Sequence, residues 1–283
     1  MLPTDGIHHV TSISGGAQRN VDFYAGTLGL RVVKRTVNFD DPGTWHLYYG
    51  DRTGSPGTLI TFFPWEGAHR GSSGAGEVAA TAYVIPDAEP AEWAESRGIE
   101  GQVEQRFGES VLTFRDTDGS RLELVGTGGP GVSEFGPPGI TGFHGVTLTV
   151  SDPEPTARLL TEVLGLGSAG EAEGRLRLTA QGEAPGRVVD LVRPASTSAA
   201  RLGSGSVHHV AFRARDEAHQ AEFRDALLSR GFNVTPVQDR QYFRSIYFRE
   251  PGGVLFEIAT EPARERIADA LPPIVAPDTA LTG

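Results

Sequence analysis

The chain contains no cysteine. That absence removes disulfide bridges, thiol nucleophiles and every Cys-ligated metal site. A metal held by this protein must use histidine or carboxylate ligands. Long apolar runs are missing too, and none approaches the roughly 18 residues that suggest a membrane helix. The first residues, MLPTDGIHHV, have neither the basic nor the apolar segment of a secretory signal. A cytoplasmic protein without a membrane partner is the expectation. Positive charge is also scarce: the formal net charge is −11. A nucleic-acid binder would show a basic patch or stripe, so that class is disfavoured. Glycine is abundant, at 37 of 283 residues, which implies many turns between short strands.

The order of elements repeats. IHHVTSIS (7–14) reads as a strand, and residues 17–28 follow with helical spacing that ends at Gly29. RVVKRTVNF, WHLYYG and TLITFFP then read as three strands separated by Gly/Pro turns. The unit is β-α-β-β-β. The same order recurs from EVAATAYVIP (77–86), from FHGVTLTV (143–150) and from VHHVAFRA (207–214). Units are expected at about 5–64, 77–126, 141–193 and 206–260. They group along the chain as an N-terminal pair (1–130) and a C-terminal pair (140–260), with a tail at 261–283. The Gly/Pro-rich stretch 126–139 reads as the linker. Arithmetic supports duplication: His144 follows His8 by 136 positions, and Leu164 follows Leu28 by the same 136.

Equivalent positions in the repeats differ in their chemistry. The first-strand position is His9 in unit 1 and His209 in unit 4, but Ala80 in unit 2 and Gly145 in unit 3. Four residues beyond the turn glycine of the last hairpin stand Thr61, Glu123, Asp190 and Glu257 in turn. Units 1 and 4 together thus offer His9, His209 and Glu257, with Thr61 in the fourth place. Two imidazoles and one carboxylate, with remaining positions open, form a facial triad suited to non-haem Fe(II). For these three to share one ion, unit 1 must sit against unit 4. The expected fold is therefore α+β. Four βαβββ modules pair into two curved-sheet barrels, modules 1 and 4 around the metal and modules 2 and 3 metal-free.

On these residues the chain resembles the vicinal oxygen chelate superfamily, which is built from paired βαβββ units. Within it, the stretches IHHVT and DRQYFRSIYFREPGGVLFEIAT (239–260) resemble ring-cleaving dioxygenases related to hydroquinone 1,2-dioxygenases. The resemblance implies Fe(II), with Mn(II) the less favoured ion, together with O2 and a dihydroxylated aromatic substrate. Two rivals are a glyoxalase- or epimerase-type metalloenzyme that does not use O2, and a metal-free protein that sequesters a small molecule. Thr61 argues against the first and the intact triad against the second. Exposed strand edges leave a homodimer open.

Further candidates surround the triad. Strand periodicity puts Thr11 on the face of His9. Tyr247 and Glu257 are equidistant from the turn near Gly252, so Tyr247 is expected across from Glu257 on the same face. The resemblance also points to Tyr247, and to Arg240 as a group for an anionic substrate oxygen. His46 and Tyr48, in WHLYYG, are candidate cavity residues from unit 1. Parity turns His8 and His208 away from the metal unless a bulge intervenes. The resemblance suggests that both stand behind the ligands. His8 is carried as a substrate-side candidate and His208 as an acid/base candidate. His144 reads as a structural relic of the repeat.

Overall fold

A computed structural model describes residues 3–37, 43–86, 89–128, 139–196 and 198–261. The 126–139 linker lies mostly outside these residues, and the tail beyond 261 wholly so.

Module 1 holds β1 (Ile7–Ser14), α1 (Ala17–Val21), β2 (Arg31–Val37), β3 (Trp45–Gly50) and β4 (Leu59–Pro64). Module 2 holds β5 (Glu77–Ile85), α2 (Pro90–Glu95), β6 (Gln102–Arg106), β7 (Glu109–Arg115) and β8 (Arg121–Gly126). Module 3 holds β9 (Gly142–Thr149), α3 (Pro153–Glu162), β10 (Gly167–Ala172), β11 (Arg175–Thr179) and β12 (Val188–Val192). Module 4 holds β13 (Ser206–Ala214), α4 (Glu217–Ser229), the two-residue β14 (Gln238–Asp239), β15 (Arg244–Arg249) and β16 (Leu255–Thr260).

Local chemistry sets the helix starts. Asp152 accepts from the Glu154 amide ahead of Pro153, and Asp216 accepts from the His219 amide. After α1 the chain widens into a π-helical turn over Asp22–Thr27, where the sequence spacing had implied one α-helix. The Leu28 amide then bonds to the Phe23 carbonyl, five residues back. Within this turn Tyr24 is buried and donates to Asp116 of module 2 at 2.8 Å.

The strands form two eight-stranded sheets. One runs β14-β15-β16-β13-β1-β4-β3-β2, the other β10-β11-β12-β9-β5-β8-β7-β6. Modules 1 and 4 therefore share one sheet and modules 2 and 3 the other. Each sheet is joined at its middle by an antiparallel seam, β1 with β13 and β5 with β9. Alternation decides what each face receives. Ile60 and Phe62 enter the core, where Phe62 packs on Tyr24 with ring centroids 4.4 Å apart. Thr61 and Phe63 face a cavity on the other side. On β16, Phe256 and Ile258 are core while Leu255 and Glu257 face that cavity. A buried phenylalanine contributes about 1.5–3 kcal/mol, so this pattern fixes the register strongly.

Near the seam a ring of four backbone hydrogen bonds forms, and its Phe143–Gly57 and Ile7–Gly186 members tie the two sheets to each other. Gly57 donates to the His8 carbonyl, Phe143 to Gly57, Gly186 to Phe143, and Ile7 to Gly186, at 2.6–2.8 Å. Gly57 and Gly186 are the turn glycines counted in the sequence, with φ of +84° and +81°. A side-chain latch mirrors that of Tyr24: Thr156 on α3 donates to buried Glu250 at 2.6 Å.

Candidate metal centre

The repeat arithmetic has a direct geometric counterpart. In parallel register, Thr61 stands beside Thr11, Glu123 beside Ala82, Asp190 beside Thr147 and Glu257 beside Ala211. Each partner lies two residues beyond the first-strand position of its own module. In the sheet of modules 1 and 4 this brings His9, His209 and Glu257 together. One ligand atom from each lies within 4.8 Å of the others, and all three residues are buried. Glu257 Oε2 is 2.9 Å from His209 Nε2 and 3.3 Å from His9 Nε2. The two Nε2 atoms are 3.4 Å apart.

His8 and His208 sit where the register breaks. Ile7 pairs with Phe212 and His9 with Ala211, so His8 is the extra residue of a bulge. Thr11 pairs with His209 and Ser12 with Val207, which makes His208 the extra residue on the opposing strand. Bulges re-aim side chains. Here they set Nδ1 of His8 2.9 Å from Nδ1 of His9, and Nδ1 of His208 2.8 Å from Nδ1 of His209. Only one nitrogen of each pair can carry the hydrogen. A metal on Nε2 requires the ligand ring to donate through Nδ1, with its neighbour accepting. His8 backs His9 and packs against Phe243, and it is not among the residues lining the cavity. His208 does line it.

The charges suit a cation. Burial alone would raise the Glu257 carboxyl, but His9 and His209 overcome it and hold it well below the usual range. Burial lowers His209 and His8, each with help from charge on His9. The remaining Glu257 oxygen, Oε1, accepts from the Ser245 hydroxyl. Two lone-pair nitrogens and a carboxylate oxygen this close repel one another unless a cation lies between them, so the donor set fits a divalent ion.

The ligand set opens on a cavity of about 550 Å³. Its wall includes Phe63, Trp65, Phe243 and Leu255, beside Thr11, His46, Tyr48, Arg240 and Tyr247. Tyr247 stands opposite Glu257 in register, and Arg240 Nε donates to its phenol oxygen at 3.2 Å. Burial, with Glu257 nearby, pushes the Tyr247 phenol up, so it is protonated at neutral pH. Sequence reasoning missed Ser245, Phe243, Phe63 and Trp65 as neighbours of the site. Period 2 along β15 from Tyr247 back to Ser245, and beyond Thr61 to Phe63, carried the signal.

The equivalent positions of the other sheet carry different chemistry. Ala80 and Gly145 stand at the histidine positions, and a Cβ on Gly145 would meet the Val188 carbonyl oxygen at 2.1 Å. Glu123 and Asp190 remain, neutralised by guanidinium groups. Arg106 lies 2.9 Å from Glu123, and Arg177 lies 2.9 Å and Arg175 3.1 Å from Asp190. His144, the bulge residue of β9, bonds to Glu109 at 2.9 Å.

A fold of paired βαβββ modules with a His/His/Glu centre at the seam defines a class of protein. The chain belongs to the Glyoxalase/Bleomycin resistance protein/Dioxygenase superfamily, whose model matches residues 6–124 and 142–258. Its relatives place it among the dioxygenases of that superfamily. It is 46% identical over 268 residues to MhqO of Bacillus subtilis, by name a ring-cleaving dioxygenase, covering 92% of this chain and 85% of MhqO. It is 34% identical to the chlorohydroquinone/hydroquinone 1,2-dioxygenase of Sphingobium indicum, over 89% of this chain and 84% of that one. A crystal structure assigned as a dioxygenase from Bacillus subtilis superimposes with a TM-score of 0.87 at 43% identity, covering 96% of this chain and 92% of that one. Glyoxalase I from Zea mays, at 16% identity and a TM-score of 0.68, covers 93% of this chain and 94% of its own, and shares the fold.

Proposed function

We propose that the protein is an Fe(II)-dependent dioxygenase that opens the ring of a hydroquinone- or catechol-type aromatic with O2. The observation that carries this reading is the convergence of two Nε2 atoms and one carboxylate oxygen on an aromatic-walled cavity. Thr61, rather than a fourth strong ligand, occupies the remaining equivalent place. His9, His209 and Glu257 would hold the ion. When bound, Fe(II) supplies open positions that bring the substrate oxygen and O2 together and let electrons pass between them.

The chain's own residues do the rest. Phe63, Trp65, Phe243 and Leu255 offer a flat ring an apolar wall and exclude water. Arg240 fixes the Tyr247 phenol by its 3.2 Å bond, so the phenol hydrogen is free to be donated to a substrate oxygen as negative charge develops there. The guanidinium balances that charge. His208, on the cavity wall behind His209, is placed to accept or return a proton. Cleavage of one ring C–C bond incorporates both atoms of O2 and releases no other product.

Oxygen-electrode traces with a panel of hydroquinones and catechols test the reading. Protein loaded anaerobically with Fe(II) should consume one O2 per substrate and give a yellow ring-opened product, and Mn(II)-loaded protein gives the comparison for the less favoured ion. Turnover of a substrate under argon would support the glyoxalase-type rival. Binding without turnover under any metal would support sequestration instead.

A further inference from the structure

A line of hydrogen-bonding groups crosses the cavity wall away from the Arg240–Tyr247 side. Thr11 Oγ1 is 2.9 Å from Thr61 Oγ1. Thr61 Oγ1 is 2.9 Å from His46 Nε2, and His46 Nδ1 is 2.9 Å from the Tyr48 hydroxyl. The line steps through β1, β4 and β3, whose register sets Thr11 beside Thr61 and Thr61 beside Tyr48. All four residues line the same cavity as the ligands. Thr11 marks the inner end: it lies on the His9 face and in register with His209. Tyr48 marks the outer end. Its partly exposed ring lies 5.7 Å from the ammonium of Lys34, the chain's sole lysine, which also sits 4.0 Å from the Tyr242 ring.

Every member of this line both donates and accepts, so two complete orientations exist. In one, Thr11 donates to Thr61, Thr61 to His46 Nε2, His46 Nδ1–H to Tyr48, and Tyr48 outward. In the other every hydrogen points inward. Passing from the first to the second moves each hydrogen by one bond. We propose that Thr11, Thr61, His46 and Tyr48 form a proton relay that removes the phenolic proton of the aromatic substrate as its oxygen binds at the ligand set. The proposal rests on the function given above.

The step balances without a further reactant. The substrate O–H bond breaks, and its proton joins Thr11 while its electron pair stays on the substrate oxygen. The Thr11 hydrogen passes to Thr61, that of Thr61 to His46 Nε2, and that of His46 Nδ1 to Tyr48. The Tyr48 hydrogen leaves to water at the cavity mouth. The relay stays neutral throughout. Burial holds His46 down to about 2, aided by the charges that face it: His9 from β1, His209 from β13, Lys34 from β2 and Arg240. Burial and Glu257 push the Tyr48 phenol up. A stored imidazolium or phenolate is therefore disfavoured, and the hydrogens move in concert.

Stopped-flow absorbance with 4-nitrocatechol, mixed anaerobically with Fe(II)-loaded protein, reads ionisation of the bound phenol without turnover. Thr61→Val cuts the line at its centre and should slow ionisation at least ~10-fold while iron content is unchanged. Thr61→Ser should restore the rate. Tyr48→Phe, a change at a partly exposed side chain, should slow it as well and serves if Thr61→Val fails to fold. Ionisation at the unsubstituted rate in both Thr61→Val and Tyr48→Phe overturns the relay alone. No ionisation in the unsubstituted protein overturns the proposed function and the relay with it. In metal-free protein, imidazole 15N NMR should show His46 neutral down to pH 5. A ring titrating near the ordinary 6.5 would overturn the concerted path.

Discussion

His8 and His9 meet nitrogen to nitrogen, Nδ1 to Nδ1 at 2.9 Å, and His208 meets His209 in the same way at 2.8 Å. Neighbours in a regular strand point to opposite faces, so this contact exists only because each pair sits at a bulge. Partners of ligand histidines typically set metal affinity within a factor of 10–100. His8→Phe should therefore weaken Fe(II) binding by about 10- to 100-fold, read by competition with a chelator. His9→Ala should abolish tight binding under the same conditions. Equal affinity in His8→Phe and the unsubstituted protein would falsify the tautomer argument.

The metal-free protein should lose stability on acidification from about pH 6.5. His8, His46 and His209 have folded pKa values below their ordinary 6.5. The unfolded chain then takes up protons near that pH while the folded chain does not, so unfolding gains as pH falls. Glu257 acts in the same direction lower down. Its folded pKa is depressed, so its contribution is complete above the ordinary 4.5 and disappears as pH falls towards the folded value. Melting temperatures of chelator-treated protein from pH 8 to 4 measure this, and a flat profile between 7 and 5 contradicts it.

Thr61 lies beside Thr11 as Glu257 lies beside Ala211, so Thr61→Glu adds a carboxylate at the one equivalent place without a strong ligand in this sheet. Metal should still bind, because the three original ligands remain. Oxygen uptake with hydroquinones should fall at least ~10-fold, since an open position closes. Retained uptake alongside retained metal would show that this position is not used.

The charge pairs of the second sheet should matter for stability and not for metal. Arg177→Met leaves Asp190 buried with only Arg175 beside it, and should cost about 3–5 kcal/mol in urea denaturation. Adding Asp190→Leu should recover most of that loss, because the uncompensated carboxylate is removed. Iron content per chain should stay constant across the series.

Tyr24→Phe and Thr156→Val each remove the hydroxyl bonded to a buried carboxylate, Asp116 or Glu250. Each should cost about 1–3 kcal/mol in the same denaturation experiment. Because the two latches lie far apart in the chain and share no partner, their costs should add in the double variant. A marked departure from additivity would show that the sheets respond as one body.

The pairing of modules 1 and 4 was legible because the second histidine of each pair recurs only in those two units. Counting four residues from each turn glycine was enough to align Thr61, Glu123, Asp190 and Glu257. Hairpin symmetry likewise set Tyr247 opposite Glu257. Parity failed at His8 and His208, because a bulge depends on the opposing strand and leaves no mark in its own sequence. The chain from Thr61 through His46 to Tyr48 was hidden for a similar reason: it needs the β3–β4 register. The π-helical turn at Asp22–Thr27 escaped too, since its apolar spacing fits an α-helix as well.

The β1–β13 seam orders events on the ribosome. The seam of the second sheet joins β5 to β9, and all of that sheet's strands are made once Val192 has emerged. At that moment β1 still lacks its partner on one side, because Ser206–Ala214 has yet to be translated. The nascent chain thus carries an open strand edge bearing His9, exposed to mispairing or to a chaperone. Glu257 arrives later still. A complete ligand set therefore exists only after every strand of the second sheet has been synthesised.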